Sequence, residues 1–149
     1  MPTVAFNILN GFKEHVHEKV HNLASDQLVV ALSNTAPGSE STPPTGATTN
    51  CLLANVTQVS YTNCSSRNIT TSSSAQASGT YKLELSNLTL TASGGSVGPF
   101  RYVYVYNDTP TSPADPLIGY YDYGSSITMA DTETLLINFA GASGVFTAA

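Results

Sequence analysis

The chain has 149 residues, which is enough for one domain with its own hydrophobic core. Charged residues make up 10% of the chain and the net charge is −5, which argues against nucleic-acid binding because that normally requires a basic patch. No stretch approaches the roughly 20 apolar residues of a membrane span, and the N-terminus lacks a secretory pattern. We therefore expect a protein made in a cytoplasm, with no membrane or nucleic-acid partner.

One helix is predicted near the N-terminus, at about residues 5–23. Phe12, Val16, Val20 and Leu23 recur at helical spacing and form an apolar stripe. These four residues are the predicted packing face of the helix against the core.

The predicted helix carries the pattern H-E-x-x-H at residues 17–21, which can hold zinc in a metallopeptidase. Such a zinc ion needs a third protein ligand, and the nearest downstream acids are Asp26 and Glu40. At about 100° per residue, His17 and His21 would also face away from the apolar stripe. We therefore expect a solvated helix face, with no metal, no cofactor, no catalytic residues and no enzymatic activity.

The remainder of the chain is typical of β-structure. Residues 28–32 form a short apolar strand, and the Pro- and Gly-containing segment 35–50 is predicted to be a mobile loop. From residue 51 to residue 149, short strands alternate with turns rich in Gly, Pro and Asp. The sequence predicts a single all-β domain over 1–149, an antiparallel β-sandwich that is jelly-roll-like and has one N-terminal helix.

Tyrosines mark the candidate interface. In residues 100–107, Phe100, Tyr102, Tyr104 and Tyr106 alternate with Val103 and Val105. Both faces of this strand carry apolar side chains, and a single helix cannot bury both. The tyrosine row therefore either contacts other copies or a partner, or it packs in the sandwich core. Further along, Tyr120, Tyr121 and Tyr123 surround Asp122, an arrangement that suits either a glycan site or a half-buried sheet face. The predicted interface residues are Tyr102, Tyr104, Tyr106, Tyr120 and Tyr121.

The two cysteines, Cys51 and Cys64, are too few for a metal site. A structural disulfide between them is disfavoured in a cytoplasmic protein.

Three stretches resemble a family of small virion proteins of tailed bacteriophages, usually described as structural or capsid decoration (cement) proteins. They are VHNLASDQLVVALSNTAP (20–37), SSRNITTSSSAQASGTYKL (65–83) and TASGGSVGPFRYVYVYNDTPTSPADPLIGYYDYGSSITMADTETLLINF (91–139). The resemblance implies a protein without catalytic residues that binds the outside of the mature phage head and stabilises it. Its partners would be the major capsid protein and sister copies, with a trimer expected. The alternative is a tail or head-fibre structural protein with a glycan-binding surface.

Overall fold

The computed structural model describes residues 4–149. Its one α-helix in this range is α1 (Asn10–His17), and short 3-10 turns lie at Pro37–Ser39, Thr48–Asn50, Leu53–Asn55 and Gly141–Ser143. The strands are β1 (Asn7–Ile8), β2 (Leu28–Ser33), β3 (Asn68–Ile69), β4 (Thr71–Ala77), β5 (Thr80–Leu85), β6 (Leu88–Thr91), β7 (Val97–Asn107), β8 (Leu117–Met129), β9 (Thr134–Ile137) and β10 (Phe146–Ala148). No helix among residues 4–149 is long and apolar enough to cross a membrane.

The strands form a central sheet and two smaller sheets. The central sheet has the order β1-β8-β7-β2-β3, and the smaller sheets have the orders β10-β5-β4 and β6-β9. Every pairing is antiparallel. The predicted all-β, antiparallel sandwich with one N-terminal helix is confirmed.

The main core lies between one face of the central sheet and the two smaller sheets. Val103 and Val105 of β7 contribute to it, as do Leu83 and Leu85 of β5 and Ile137 of β9. These side chains alternate along each strand with residues of the opposite sheet face, as expected for a layered sandwich. Phe100 also enters this core, although the sequence pattern placed it with the tyrosines. The register of the β7–β8 pair shifts between Phe100 and Tyr102, which turns Phe100 to the opposite face.

Residues 36–56, here called the cover segment, pack over the second face of the central sheet. Cys51 and Val56 of this segment join the tyrosines of β7 in a second buried cluster. Pro37, Glu40 and Pro44 are buried as well. The segment predicted as a mobile loop over 35–50 packs against the sheet, and it supplies the layer that a second sheet would otherwise provide.

The helix is shorter than the predicted 5–23 at both ends. Residues 7–8 form β1 instead, because their backbone pairs with Tyr120 and Gly119 of β8. At the other end Lys19 has a positive φ of 64°. The amides of Lys19 and Val20 then bond the carbonyls of Val16 and His15, which is a Schellman ending of the helix.

The shorter helix changes which residues of the predicted stripe reach the core. Phe12 and Leu23 are buried, as expected. Val16 is 38% exposed and Val20 is half-buried, so the predicted core packing is wrong for Val16 and incomplete for Val20. The helix has only two turns, and the residues after it follow another path, so helical spacing does not extend to Val20 and Leu23.

Candidate functional site

The tyrosine row lies inside the protein. The exposed fractions of Tyr102, Tyr104 and Tyr106 are 7%, 0% and 5%, because the cover segment packs over them. Of the two alternatives left open by the sequence, burial in the core is therefore the one found. These three residues are not available as an interface, and their prediction as one is corrected.

The tyrosines of β8 lie on opposite faces of the central sheet. Tyr120 is half-buried, and its ring centroid lies 5.6 Å from that of Tyr104. Tyr121 is 4% exposed, with its ring 5.0 Å from Phe6 in the main core. Tyr121 is thus unavailable to a partner or a glycan. Of the three tyrosines in β8, the half-buried Tyr120 and Tyr123 remain partly accessible.

A buried carboxylate fastens the cover segment. Glu40 accepts hydrogen bonds from the backbone amide of Thr57 at 2.8 Å and from its Oγ1 at 2.7 Å. Burial, together with the charge of Glu40, raises the pKa of Tyr104. The hydroxyl of Tyr104 is buried without a hydrogen-bond partner among residues 4–149. Sequence reasoning missed this site, because a lone Glu in a Pro- and Ser-rich segment carries no periodic signal.

The histidines of the H-E-x-x-H pattern have different surroundings. His17 ends the helix, is exposed, and donates from Nδ1 to the carbonyl of Lys13 at 2.7 Å. His21 lies beyond the helix and is half-buried, so its expected outward position is wrong. Its ring packs 5.0 Å from Phe12 and 5.9 Å from His15. Within residues 4–149 no group of three or more His, Cys, Asp or Glu is placed to hold a metal ion.

Asn107 fixes the tautomer of His21. The Asn107 Nδ2 lies 3.1 Å from Nδ1 of His21 and 2.6 Å from Oδ2 of Asp26. The amide therefore donates to both, so the ring proton of neutral His21 sits on Nε2. That Nε2 is buried without an acceptor among the described residues. Burial lowers the pKa of His21 to about 4, with the charge of His15 adding to the shift.

The cysteines are separate free thiols. Cys51 is buried in the tyrosine cluster, where its Sγ lies 3.5 Å from the Leu117 carbonyl, and burial raises its pKa to about 11. Cys64 packs at the margin of the main core. The two thiols lie on opposite faces of the central sheet, which agrees with the expectation of no bridge.

Two features among residues 4–149 are candidate binding surfaces. One is the outer edge of β4, which pairs with β5 alone. The other is a cavity of about 900 Å³ between α1, the segment after it and the inner face of the β10-β5-β4 sheet. Both surfaces can bind a partner without covalent chemistry, the first through backbone hydrogen bonds and the second through apolar contact.

Comparison with known proteins identifies no relative. No protein-family model, no curated protein and no solved structure matches the chain.

Proposed function

We propose that this chain is a capsid decoration protein that binds the outside of a mature phage head and stabilises it. The observation that carries the proposal is the edge strand β4. It has seven residues, TSSSAQA, and pairs on one side only. Its unpaired backbone amides and carbonyls are a template for a strand from another chain.

The composition of β4 favours such pairing. Proteins usually protect an edge strand with charged side chains or Pro, and β4 contains neither. Its side chains are small hydroxyls, Ala and Gln, so a neighbouring backbone can approach closely. A register irregularity occurs between Thr71 and Ser73, and the pairing with β5 is regular from Ser73 to Ala77. The regular part offers an edge of five residues without a bulge.

The resemblance to phage virion proteins supports an assembly role for this edge. The second resembling stretch, residues 65–83, contains the whole of β4 and the start of β5. A protein that binds only the mature shell stabilises it by mass action, and it needs no chemistry to do so. In a head strained by packed DNA, binding at the capsomer junctions would stabilise the shell most.

The partners in this proposal are the major capsid protein and sister copies. If β4 of one copy pairs with a different strand of the next copy, the interface is heterologous. Copies related by a rotation that divides 360° evenly then form a closed ring. A trimer at a threefold site of the outer head surface fits this geometry. The protein would be made in the bacterial host cytoplasm and assembled there.

The glycan-binding alternative, a tail or head-fibre protein, has less support. Tyr121 is buried in the main core and cannot contribute to the proposed aromatic surface, which leaves the partly buried Tyr120 and Tyr123. Glycan binding that is lost in Tyr123→Ala but retained in the β4 edge variant described below would favour this alternative.

The test uses heads of the encoding phage assembled without this protein. Purified protein is added, and binding and resistance to heat or chelator are measured. In the edge variant Ala75→Lys/Ala77→Lys, two exposed positions of β4 receive charges. We expect it to lose head binding, because a charged edge resists strand addition.

The matched control is Ala54→Lys/Ala130→Lys, which adds the same charge at two exposed positions outside β4. It should bind and stabilise heads as the unmodified protein does. Equal binding by both variants would refute the role of β4. A reconstruction of the virion that places the chain only in the tail would refute decoration of the head.

A further inference from the structure

We propose that the cavity beside α1 is a binding site for a long-chain organic anion, with the alkyl chain inside and the carboxylate at the rim. This inference is independent of the proposed function. The cavity volume of about 900 Å³ lies within the range of ligand pockets, which is about 300–1,000 Å³.

The interior of the cavity is apolar. Phe12 and Val16 of α1 form one wall, and Tyr81 and Phe146 of the β10-β5-β4 sheet form the opposite wall. The Phe12 and Phe146 rings meet edge to face at 5.5 Å. Val16 is 38% exposed because it faces this cavity and not a packed neighbour. An alkyl chain would remove these surfaces from water.

Charge selects an anion. Of the five Lys and Arg residues, Lys82 and Arg101 form the two ion pairs found in residues 4–149, and Arg67 stacks on Tyr61. The remaining two, Lys13 and Lys19, both line the cavity. Lys13 and Lys19, which have neither a carboxylate nor an aromatic partner among residues 4–149, therefore lie together at one apolar opening.

No Asp or Glu is among the described residues that line the cavity. Two nearby acids are bonded elsewhere, since Glu14 accepts a hydrogen bond from Thr48 Oγ1 at 2.7 Å and Asp26 accepts one from Asn107. The lining itself therefore carries cations and no carboxylate side chain, which favours an anionic ligand.

Apolar walls and two cations at the rim together describe a site for an amphipathic anion.

The test is calorimetric titration of the full chain with sodium dodecanoate, kept below its micelle concentration. We expect saturable binding, and binding of dodecyltrimethylammonium weaker by about tenfold or more. The double variant Lys13→Ala/Lys19→Gly should bind dodecanoate about tenfold more weakly. Glycine at position 19 suits the positive φ there, so this variant removes the charge without adding strain.

Val16→Asp tests whether the apolar wall of the cavity is needed for binding, and Leu136→Asp is its matched control. Both positions are exposed apolar residues, at 38% and 47%, but only Val16 lines the cavity. Val16→Asp should abolish dodecanoate binding and Leu136→Asp should leave it unchanged. Equal binding of anionic and cationic probes, or of both Asp variants, would refute the proposal.

Two further results would assign the cavity to another occupant and refute the proposal. The first is sedimentation of the chain with phosphatidylcholine–phosphatidylglycerol vesicles in the absence of binding to monomeric dodecanoate. The second is a dimer, seen by analytical ultracentrifugation, that Val16→Asp dissociates and dodecanoate does not.

Discussion

Gly11 of α1 and Cys51 of the cover segment pack so closely that a Cβ atom at position 11 would overlap the Cβ of Cys51 and lie 3.0 Å from its Sγ. The helix can therefore rest on the cover segment only because residue 11 lacks a side chain. This contact joins α1, the tyrosine face and the cover segment into one body.

Gly11→Ala is expected to destabilise the protein, although Ala favours helices. The added methyl group must push α1 away from Cys51, and such overpacking costs about 1–3 kcal/mol. Urea unfolding measures the loss. Gly38→Ala is the control, because nothing lies within 4 Å of its added Cβ. A Gly11→Ala protein as stable as Gly38→Ala would mean that the helix does not rest on Cys51.

Lys19→Gly is expected to stabilise the protein by about 1 kcal/mol. Lys19 has a φ of 64° at the C′ position of α1, where an L-residue is strained and Gly is not. The same replacement at Lys13, inside the helix, should destabilise by about 1 kcal/mol. Thermal unfolding of the two variants checks the prediction. Shifts of the same sign in both variants would contradict the Schellman ending.

Stability is expected to fall in mild acid because of His21. Burial lowers its pKa from 6.5 to about 4, so the unfolded chain binds a proton that the folded chain does not. The stabilisation is complete above pH 6.5 and is lost as the pH falls from 6.5 to about 4. Because the ring is partly exposed, solvent reduces the full effect of the pKa shift. We expect the free energy of unfolding to fall by about 2 kcal/mol.

The measurement is urea unfolding from pH 7 to pH 4, compared with His21→Gln. The variant should lose most of the pH dependence in this window. A remainder is expected from His15, whose pKa burial also lowers. His17→Ala is the matched control, since His17 is exposed, and it should keep the full dependence. If His17→Ala instead loses the pH dependence of the free energy of unfolding, the titrating group is His17 and the prediction for His21 is wrong.

The strands were predictable because their signal is local. Tyr81, Leu83 and Leu85 share one phase, and the change of phase after Leu85 marks the break between β5 and β6. β1 was missed although Val4, Phe6 and Ile8 alternate, because the stripe from Phe12 onward suggested one continuous helix. The end of that helix depends on the left-handed backbone at Lys19, which composition does not reveal.

The cover segment was not predictable for a different reason. Its prolines, glycines and hydroxyl residues indicate no regular element, and it contains almost none. Its order comes from single tertiary contacts, such as the bridge between Leu52 and Pro116 and the bond from the Leu117 amide to the Cys51 carbonyl. Whether the tyrosines of β7 are exposed depends on these contacts, so the sequence left both alternatives open.

Glu40→Gln is expected to loosen the cover segment. The carboxylate accepts both the amide and the hydroxyl of Thr57, and a neutral amide side chain can replace only one of these acceptors. Hydrogen bonds to a buried charge contribute about 1.5–3 kcal/mol each. We therefore expect the free energy of unfolding to fall by about 2 kcal/mol. Hydrogen exchange should speed up in residues 36–56 and remain slow in the β6-β9 sheet.

Thr57→Val separates the two bonds, because it removes the hydroxyl and keeps the backbone amide. A double-mutant cycle of Glu40→Gln and Thr57→Val should show coupling of about 1 kcal/mol or more, since the side chains share a bond of 2.7 Å. Glu133→Gln is the control, because Glu133 is exposed and its carboxylate accepts a hydrogen bond from the Ala130 amide in its own turn. If exchange in 36–56 is as slow in Glu40→Gln as in Glu133→Gln, Glu40 does not fasten the segment, and burial of the tyrosine row rests on apolar packing alone.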